Sequence, residues 1–291
     1  MSFLIFDVDH SLASIGGDLG AAKVSAIQPI RITNGSSQVM GILSSLFTRK
    51  EINYEHPLLS EGMKISLFDK SELAKSNNLE GIVIDTVSHL FRTDMRILEA
   101  KNKSERIEIQ DWVKLERAYN SLIANLIQMP VWIIVNSHIT YDKNDLGQFR
   151  FFPQVKGSTK DFIGEYFDCI LYTRVSNSGG RIQYLWQTKP DNQRFAKDRL
   201  DVLEQYIPQN FNLILERYRA KGIENPKILV IGESGTGKTR AMLTLNKECA
   251  IPSNHKNNGK SPFQNRLTRF HPIEFTCRRQ ATGAYIFDLQ I

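Results

Sequence analysis

Gly232-Glu233-Ser234-Gly235-Thr236-Gly237-Lys238-Thr239 is the stretch on which the reading of this chain turns. It follows the apolar run Lys227 to Ile231 and leads into Arg240-Ala241-Met242-Leu243, which is helical in character. Glycines at this spacing let successive backbone N–H groups turn inward, and the N-terminus of the following helix adds a field that favours phosphate. The pattern GxxxxGK[ST] between a strand and a helix therefore describes a phosphate-binding loop. By ordinary residue frequencies the bare pattern arises in roughly one chain in a hundred of this size, so the strand and helix around it carry the assignment. The cradle comprises Gly232, Glu233, Ser234, Gly235, Thr236, Gly237, Lys238, Thr239 and Arg240. Lys238 is placed to reach the β- and γ-phosphates of ATP, and the Thr239 hydroxyl to hold Mg2+.

Such a loop needs carboxylates on neighbouring strands. Asp85 ends the apolar run Gly81-Ile82-Val83-Ile84-Asp85-Thr86 and suits the Mg2+ side. A second acid has to polarise the attacking water. Asp7 and Asp9 are the candidates, at the end of the buried run Phe3 to Phe6. A third apolar run, Val131 to Val135, delivers Asn136, Ser137 and His138, polar groups able to sense the γ-phosphate.

The rest of the chain is ordinary globular material. Its 291 residues are 41% hydrophobic and 23% charged, enough for one large α/β domain or two modest ones and against wholesale disorder. No apolar run approaches the ~20 residues that span a bilayer, and no secretory signal pattern opens the chain. Cys169, Cys249 and Cys277 lie far apart without metal-ligand spacing, as reduced thiols of a cytoplasmic protein do. The net charge is +6, and residues 251–291 supply six basic side chains against two acids. A basic tail of this kind suits a polyanion or a solvated surface.

Between the motifs, Ser36 to Phe47 reads as a helix and Met63 to Phe68 as a strand. Ile109, Trp112, Leu115, Tyr119, Leu122 and Leu126 mark a long helix that stops at Pro130. Asp168 to Val175 and Arg181 to Gln187, around Ser176-Asn177-Ser178-Gly179-Gly180, read as a β-hairpin. Residues 197 to 219 are helical in composition, broken near Pro208, and Thr239 to Lys247 is a helix. Gly16, Gly17 and Gly20 mark a loop, Ala250 to Gly283 a loop or arm, and Ala284 to Phe287 a last strand. Continuous apolar strands alternating with amphipathic helices predict an α/β fold, a mostly parallel sheet covered on both faces.

Together the motifs resemble the RecA-like ATPases, and more closely the small phage RecA-like recombination ATPases, over residues 1 to about 248. The tail 249–291 lies outside. The resemblance implies that Asp7-Val8-Asp9-His10 supplies the catalytic carboxylate through Asp9, an Asp where the family carries Glu, and that Asp85 is the Mg2+-side acid. It implies that Asn136-Ser137-His138 is the sensor, with Ser137 or His138 serving in place of the family's Gln. Lys189, Arg194 and Lys197 fall in a late basic segment that in RecA-like filaments assists a neighbouring subunit's γ-phosphate. The motif order departs from the family, because the phosphate loop comes last. A circular permutation joined through Ala220 to Pro226 accounts for this. Two alternatives are exchange of the C-terminal strand and helix between subunits, and replacement of Phe3 to Phe6 beside the phosphate-loop strand by Ala284 to Phe287, with Asp288 as the acid.

The implied activity is Mg-dependent ATP hydrolysis in DNA recombination, repair or replication. Single-stranded DNA, a homo-oligomer or filament, and a single-strand-binding or annealing partner are the implied associates, with no membrane. Lys143, Arg150 and Lys156, interleaved with Phe149, Phe151 and Phe152 between Tyr141 and Lys156, are candidates to stack bases and hold phosphates; Phe151 and Phe152 also read as core. A small-molecule kinase with Arg266, Arg269, Arg278 and Arg279 as a lid is an alternative, as is a nucleotide-gated binding module with little turnover.

Overall fold

The runs of apolar residues at the start, middle and end of the chain meet in one sheet. The computed structural model describes residues 2–12, 27–54, 63–102, 106–143, 147–155, 159–178, 181–245, 274–279 and 285–290. In chain order these form β1 (Ser2–Asp7), β2 (Ile27–Arg31), helix α1 (Gly35–Leu46), β3 (Phe47–Tyr54), β4 (Met63–Lys70), α2 (Glu72–Ser76) and β5 (Leu79–Asp85). Next come α3 (Val87–Lys101), α4 (Ile109–Gln128), β6 (Trp132–Ser137), β7 (Ile139–Lys143), β8 (Phe149–Pro153) and α5 (Thr159–Phe162), with a 3-10 turn at Ile163–Tyr166. Then follow β9 (Cys169–Ser178), β10 (Arg181–Gln187), β11 (Lys197–Asp198), β12 (Tyr206–Pro208), α6 (Phe211–Arg219) and β13 (Lys227–Ile231). Helix α7 (Lys238–Ala241) continues as a 3-10 turn through Leu245, and β14 (Glu274–Arg279) and β15 (Tyr285–Gln290) complete the described elements. Met1–Cys249 forms one compact unit and Ala250–Ile291 a second.

The principal sheet runs β12-β10-β9-β13-β6-β5-β1-β2, with β11 added to β9. From β9 through β13, β6, β5 and β1 to β2 every pairing is parallel. Alternate residues of each central strand enter opposite cores. Leu4, Phe6, Ile82, Ile84, Ile133, Val135, Leu229 and Ile231 face one, where helices α1, α3 and α4 contribute Val39, Leu90, Phe91, Leu115, Tyr119 and Leu122. Phe3, Ile5, Val83, Trp132, Ile134, Ile228 and Val230 face the other, with Phe211, Ile214 and Tyr218 of α6. Two buried faces explain why these strands are apolar without interruption. The result is an α/β P-loop NTPase core.

Strand β13 is the last strand of this sheet in the chain, yet it lies between β6 and β9. The expectation that Phe3 to Phe6 borders the phosphate-loop strand is corrected, since β6 and β5 intervene. Strand β15 pairs antiparallel with β14. Parallel pairing sends the C-terminal ends of β1, β5, β6 and β13 to one edge, where α/β sheets hold their ligands.

Other expectations change in detail. Helix α4 spans Ile109–Gln128, but Ile109 is 85% exposed, and the buried stripe begins at Asp111 and Leu115. Residues 197 to 219 are helical only from Phe211. Before it, Asp201 has φ of 52°, and Asp198 Oδ2 accepts from Leu203 N at 2.7 Å, while β12 adds to β10. Tertiary pairing overrides local composition there. The stretch from Tyr141 is a hairpin of β7 and β8, with Tyr141 opposite Phe151 and Lys143 opposite Phe149. Strand β14 lies inside the expected loop Ala250 to Gly283, and β3 and α3 have no counterpart in the sequence reading. Gly16, Gly17, Gly20, Lys156, Gly179 and Gly180 lie outside the described residues, as does all of 246–273.

Candidate nucleotide site

The phosphate loop leaves β13 through Gly232, whose N–H donates to Ser137 O at 3.1 Å. A Cβ at Gly232 would fall 1.6 Å from Thr173 Oγ1, so only glycine fits. Gly235 and Gly237 take φ of +77° and +89°, conformations that side chains resist. Three side-chain hydrogen bonds hold the loop. Thr173 of β9 pairs with Thr236 Oγ1 at 2.6 Å, Thr236 Oγ1 donates to Glu233 O, and Gln209 Nε2 donates to Thr236 O at 2.9 Å. Glu233, Ser234, Gly235 and Arg240 are exposed, at the rim of the cradle.

Lys238 is buried at the start of α7. Its Nζ donates to Gly232 O at 2.8 Å and Glu233 O at 2.7 Å. Burial draws its pKa down to about 8, against the opposing pull of Asp85, Asp9 and Glu233. A phosphate arriving in the loop competes for an ammonium that two carbonyls already hold.

Asp85, at the end of β5, is fully buried and satisfied on both oxygens. Asn136 Nδ2 donates to Oδ1 at 2.9 Å. Oδ2 accepts from Thr239 Oγ1 at 2.8 Å and from Ser11 Oγ at 2.7 Å, and those two hydroxyls lie 3.1 Å apart. Burial raises the Asp85 pKa, and Asp9 raises it further, while the three donors oppose. A carboxylate and two hydroxyls facing one point, beside a phosphate cradle, fit Mg2+, which takes oxygen ligands and shares them with phosphate.

Beside this network, Asp9 Oδ1 accepts from Ser11 N at 3.0 Å. Its Oδ2 lies 3.7 Å from His89 Nδ1 and 3.9 Å from His138 Nε2. Between the two acid candidates, Asp9 stands with these imidazoles; Asp7 is apart from that cluster, with a buried Oδ1 that has no hydrogen-bond partner. Desolvation raises the Asp7 pKa. His138 is lowered to about 4, by burial first and then by Lys238 and His89. Ser137 turns away from the site: its Oγ meets Ser88 Oγ at 3.1 Å, donates to His138 O and accepts from Gln154 N. Within the sensor run, His138 is the side chain that approaches Asp9, and Asn136 serves by holding Asp85.

His89, Ser11, Thr173 and Gln209 escape sequence reading. Ser11 follows Asp9 by two positions and His89 follows Asp85 by four, a signal too common to use. Thr173 and Gln209 reach the loop through pairing alone. Lys189, Arg194 and Lys197 are engaged within their own chain. Lys189 pairs with Asp198 and Asp201, Arg194 with Asp191 while lying 4.5 Å over the Phe151 ring, and Lys197 donates to Gly164 O. On the β7–β8 hairpin, Tyr141 and Phe149 are 64% and 40% exposed and meet edge to face at 5.4 Å. Lys143 sits 5.1 Å over Phe149, while Phe151 is half-buried against the core. A cavity of about 640 Å³ beneath β8 is bordered by Arg150, Phe151, Phe152, Tyr172 and Arg194. Arg278 and Arg279 stand on β14, and Arg266 and Arg269 lie outside the described residues.

A family model described as an AAA domain matches residues 2–200, which takes in Asp9, Asp85, His89 and His138 and ends before Gly232. No curated protein and no solved structure matches the chain. Among the described residues no helix is long and apolar enough to cross a membrane.

Proposed function

The chain belongs to the AAA domain family of P-loop ATPases, and from that premise we propose that it hydrolyses Mg-ATP and acts on single-stranded DNA in recombination, repair or replication. The observation that carries the reading is the closure of Thr239 on Asp85 with Asp9 alongside. Loop N–H groups and Lys238 orient the phosphates, which is most of what phosphoryl transfer asks of a protein. Mg2+, when bound by Thr239 and Asp85, supplies neutralisation of charge on the transferring phosphoryl group. Asp9 takes a proton from the attacking water as general base. An Asp reaches one methylene less far than a Glu, which makes turnover slow while leaving nucleotide binding intact. His138, neutral at pH 7, is placed to sense the γ-phosphate.

We read the motif order as a circular permutation of a RecA-like core of the small phage type. On this reading the chain begins at the strand that normally follows the phosphate-loop helix. The older termini are joined by Ala220 to Pro226, where Gly222 at φ of +83° turns the chain. The middle position of β13 and the closure of the site within one chain support this reading over subunit exchange. Residues 1–248 are then the ATPase core and 249–291 a basic tail.

DNA contact falls to the β7–β8 hairpin. The exposed Tyr141 and Phe149 offer faces on which bases stack, and Lys143 and Arg150 meet phosphates. A homo-oligomer or filament, a single-strand-binding or annealing partner, and a cytoplasmic setting complete the proposal. ATPase activity measured with and without single-stranded DNA tests it. Stimulation by DNA is expected; a DNA-independent rate removes the DNA assignment, and phosphorylation of an added metabolite turns the reading to a kinase.

A further inference from the structure

Asp9 in the loop after β1, His89 in the first turn of α3 and His138 just after β6 present ligand atoms that all lie within 4.8 Å of one another. We propose that they form a site for a divalent transition-metal ion of the zinc class, separate from the Mg2+ position at Thr239 and Asp85. Two imidazoles and one carboxylate are a donor set that selects such ions, whereas Mg2+ prefers oxygen alone. The separations of 3.7 Å and 3.9 Å from Asp9 Oδ2 to the two ring nitrogens exceed the roughly 3.3 Å expected around a tetrahedral ion with bonds of about 2.0–2.1 Å. Small side-chain movements close that gap.

Two further observations favour a ligand here. His138 Nε2 is buried and has no hydrogen-bond partner, a cost that coordination removes. The imidazoles stand edge to face at 5.2 Å between centroids, so they converge without stacking. His89 Nδ1 also lies 3.2 Å from Thr86 Oγ1, and the ion has to displace that contact. The cations facing the cluster, Lys238, Arg92 and Arg96, weaken binding, while Asp9 and Asp85 favour it. Binding stands apart from the ATPase reading. If Asp9 is the base, the ion engages it and stops turnover while leaving nucleotide bound.

The test is titration of the untagged full chain with Co2+, followed by visible absorption, in millimolar Mg2+. One equivalent bound with a ligand-field spectrum is expected, with affinity falling about tenfold or more in His89→Ala and in His138→Ala. His89→Gln and His138→Gln repeat the measurement should either alanine variant melt early. Absence of binding, loss of binding in Mg2+, unchanged affinity in the histidine variants, or loss through His10→Ala alone overturns the proposal.

Discussion

Thr239 donates its hydroxyl hydrogen to Asp85 Oδ2 over 2.8 Å, joining residues 154 positions apart in the chain. The contact is possible because β13, β6 and β5 are consecutive in the sheet and parallel. Asn136, between them on β6, completes the connection by donating to the other carboxylate oxygen.

On the proposed reading, removing the Lys238 ammonium takes away the protein's own positive charge facing the phosphates. Lys238→Ala is expected to abolish hydrolysis in a phosphate-release assay, and near-normal turnover would refute the phosphate assignment.

Asp9→Ala separates binding from chemistry. Nucleotide affinity is expected to stay within a few-fold, while the single-turnover rate drops by about 10²–10⁴, the usual contribution of a general base. An unchanged rate would move the base elsewhere, with Asp7 the next acid to test.

Gly237→Ala introduces a Cβ at φ of +89° and 2.5 Å from Gln209 Oε1. The strain of about 1–2 kcal/mol is expected to weaken nucleotide binding about tenfold in a fluorescent-nucleotide titration. Gly222→Ala is the control: its φ is +83° and no atom lies within 4 Å of the added Cβ. It is expected to lower stability without changing affinity.

Lys227 is buried at the opposite end of β13, its Nζ donating to Met129 O and Val131 O. Desolvation lowers its pKa to about 8, with Asp168 opposing. The unfolded chain therefore binds the extra proton between pH 8 and the ordinary lysine value, so the folded state gains stability as pH rises through that window. Below it the burial cost is fully present. Chemical denaturation should show a gain of up to about 3 kcal/mol from this group, and the slope should vanish in Lys227→Met. An identical pH profile in that variant would exclude the assignment.

Tyr141→Ala and Phe149→Ala remove exposed rings from the hairpin tip. Each is expected to weaken single-stranded DNA binding by about 1–3 kcal/mol while leaving DNA-independent ATPase activity unchanged. Lys143→Ala should lower the salt dependence of binding by about one ion. Binding equal to the parent protein in all three would place DNA elsewhere.

Much of this was legible without coordinates. Apolar runs such as Ile82 to Ile84 and Ile228 to Ile231 announce strands because both faces are buried, and the glycine spacing of the phosphate loop announces its backbone geometry. Helix α3 was illegible because its sequence mixes Arg92, Asp94 and Arg96 among apolar residues, and its N-cap, Thr86, sits at the end of a strand run. Strand β3 was hidden by Arg49, Lys50 and Glu51, charges tolerated because its partner is a hairpin strand and not the main sheet.

The sequence by itself determined the glycine pattern of the phosphate loop, the candidate acids Asp7, Asp9 and Asp85 that follow apolar runs, and the α/β class, since each rests on local spacing or on burial that repeats along a few residues. Only the tertiary structure decided that His89 joins Asp9 and His138, that Asn136 and not Ser137 supports Asp85, and that Thr173 and Gln209 clasp the loop. Those relations depend on which strands lie side by side and in what register, and sheet order is set by packing between segments that the chain itself keeps far apart.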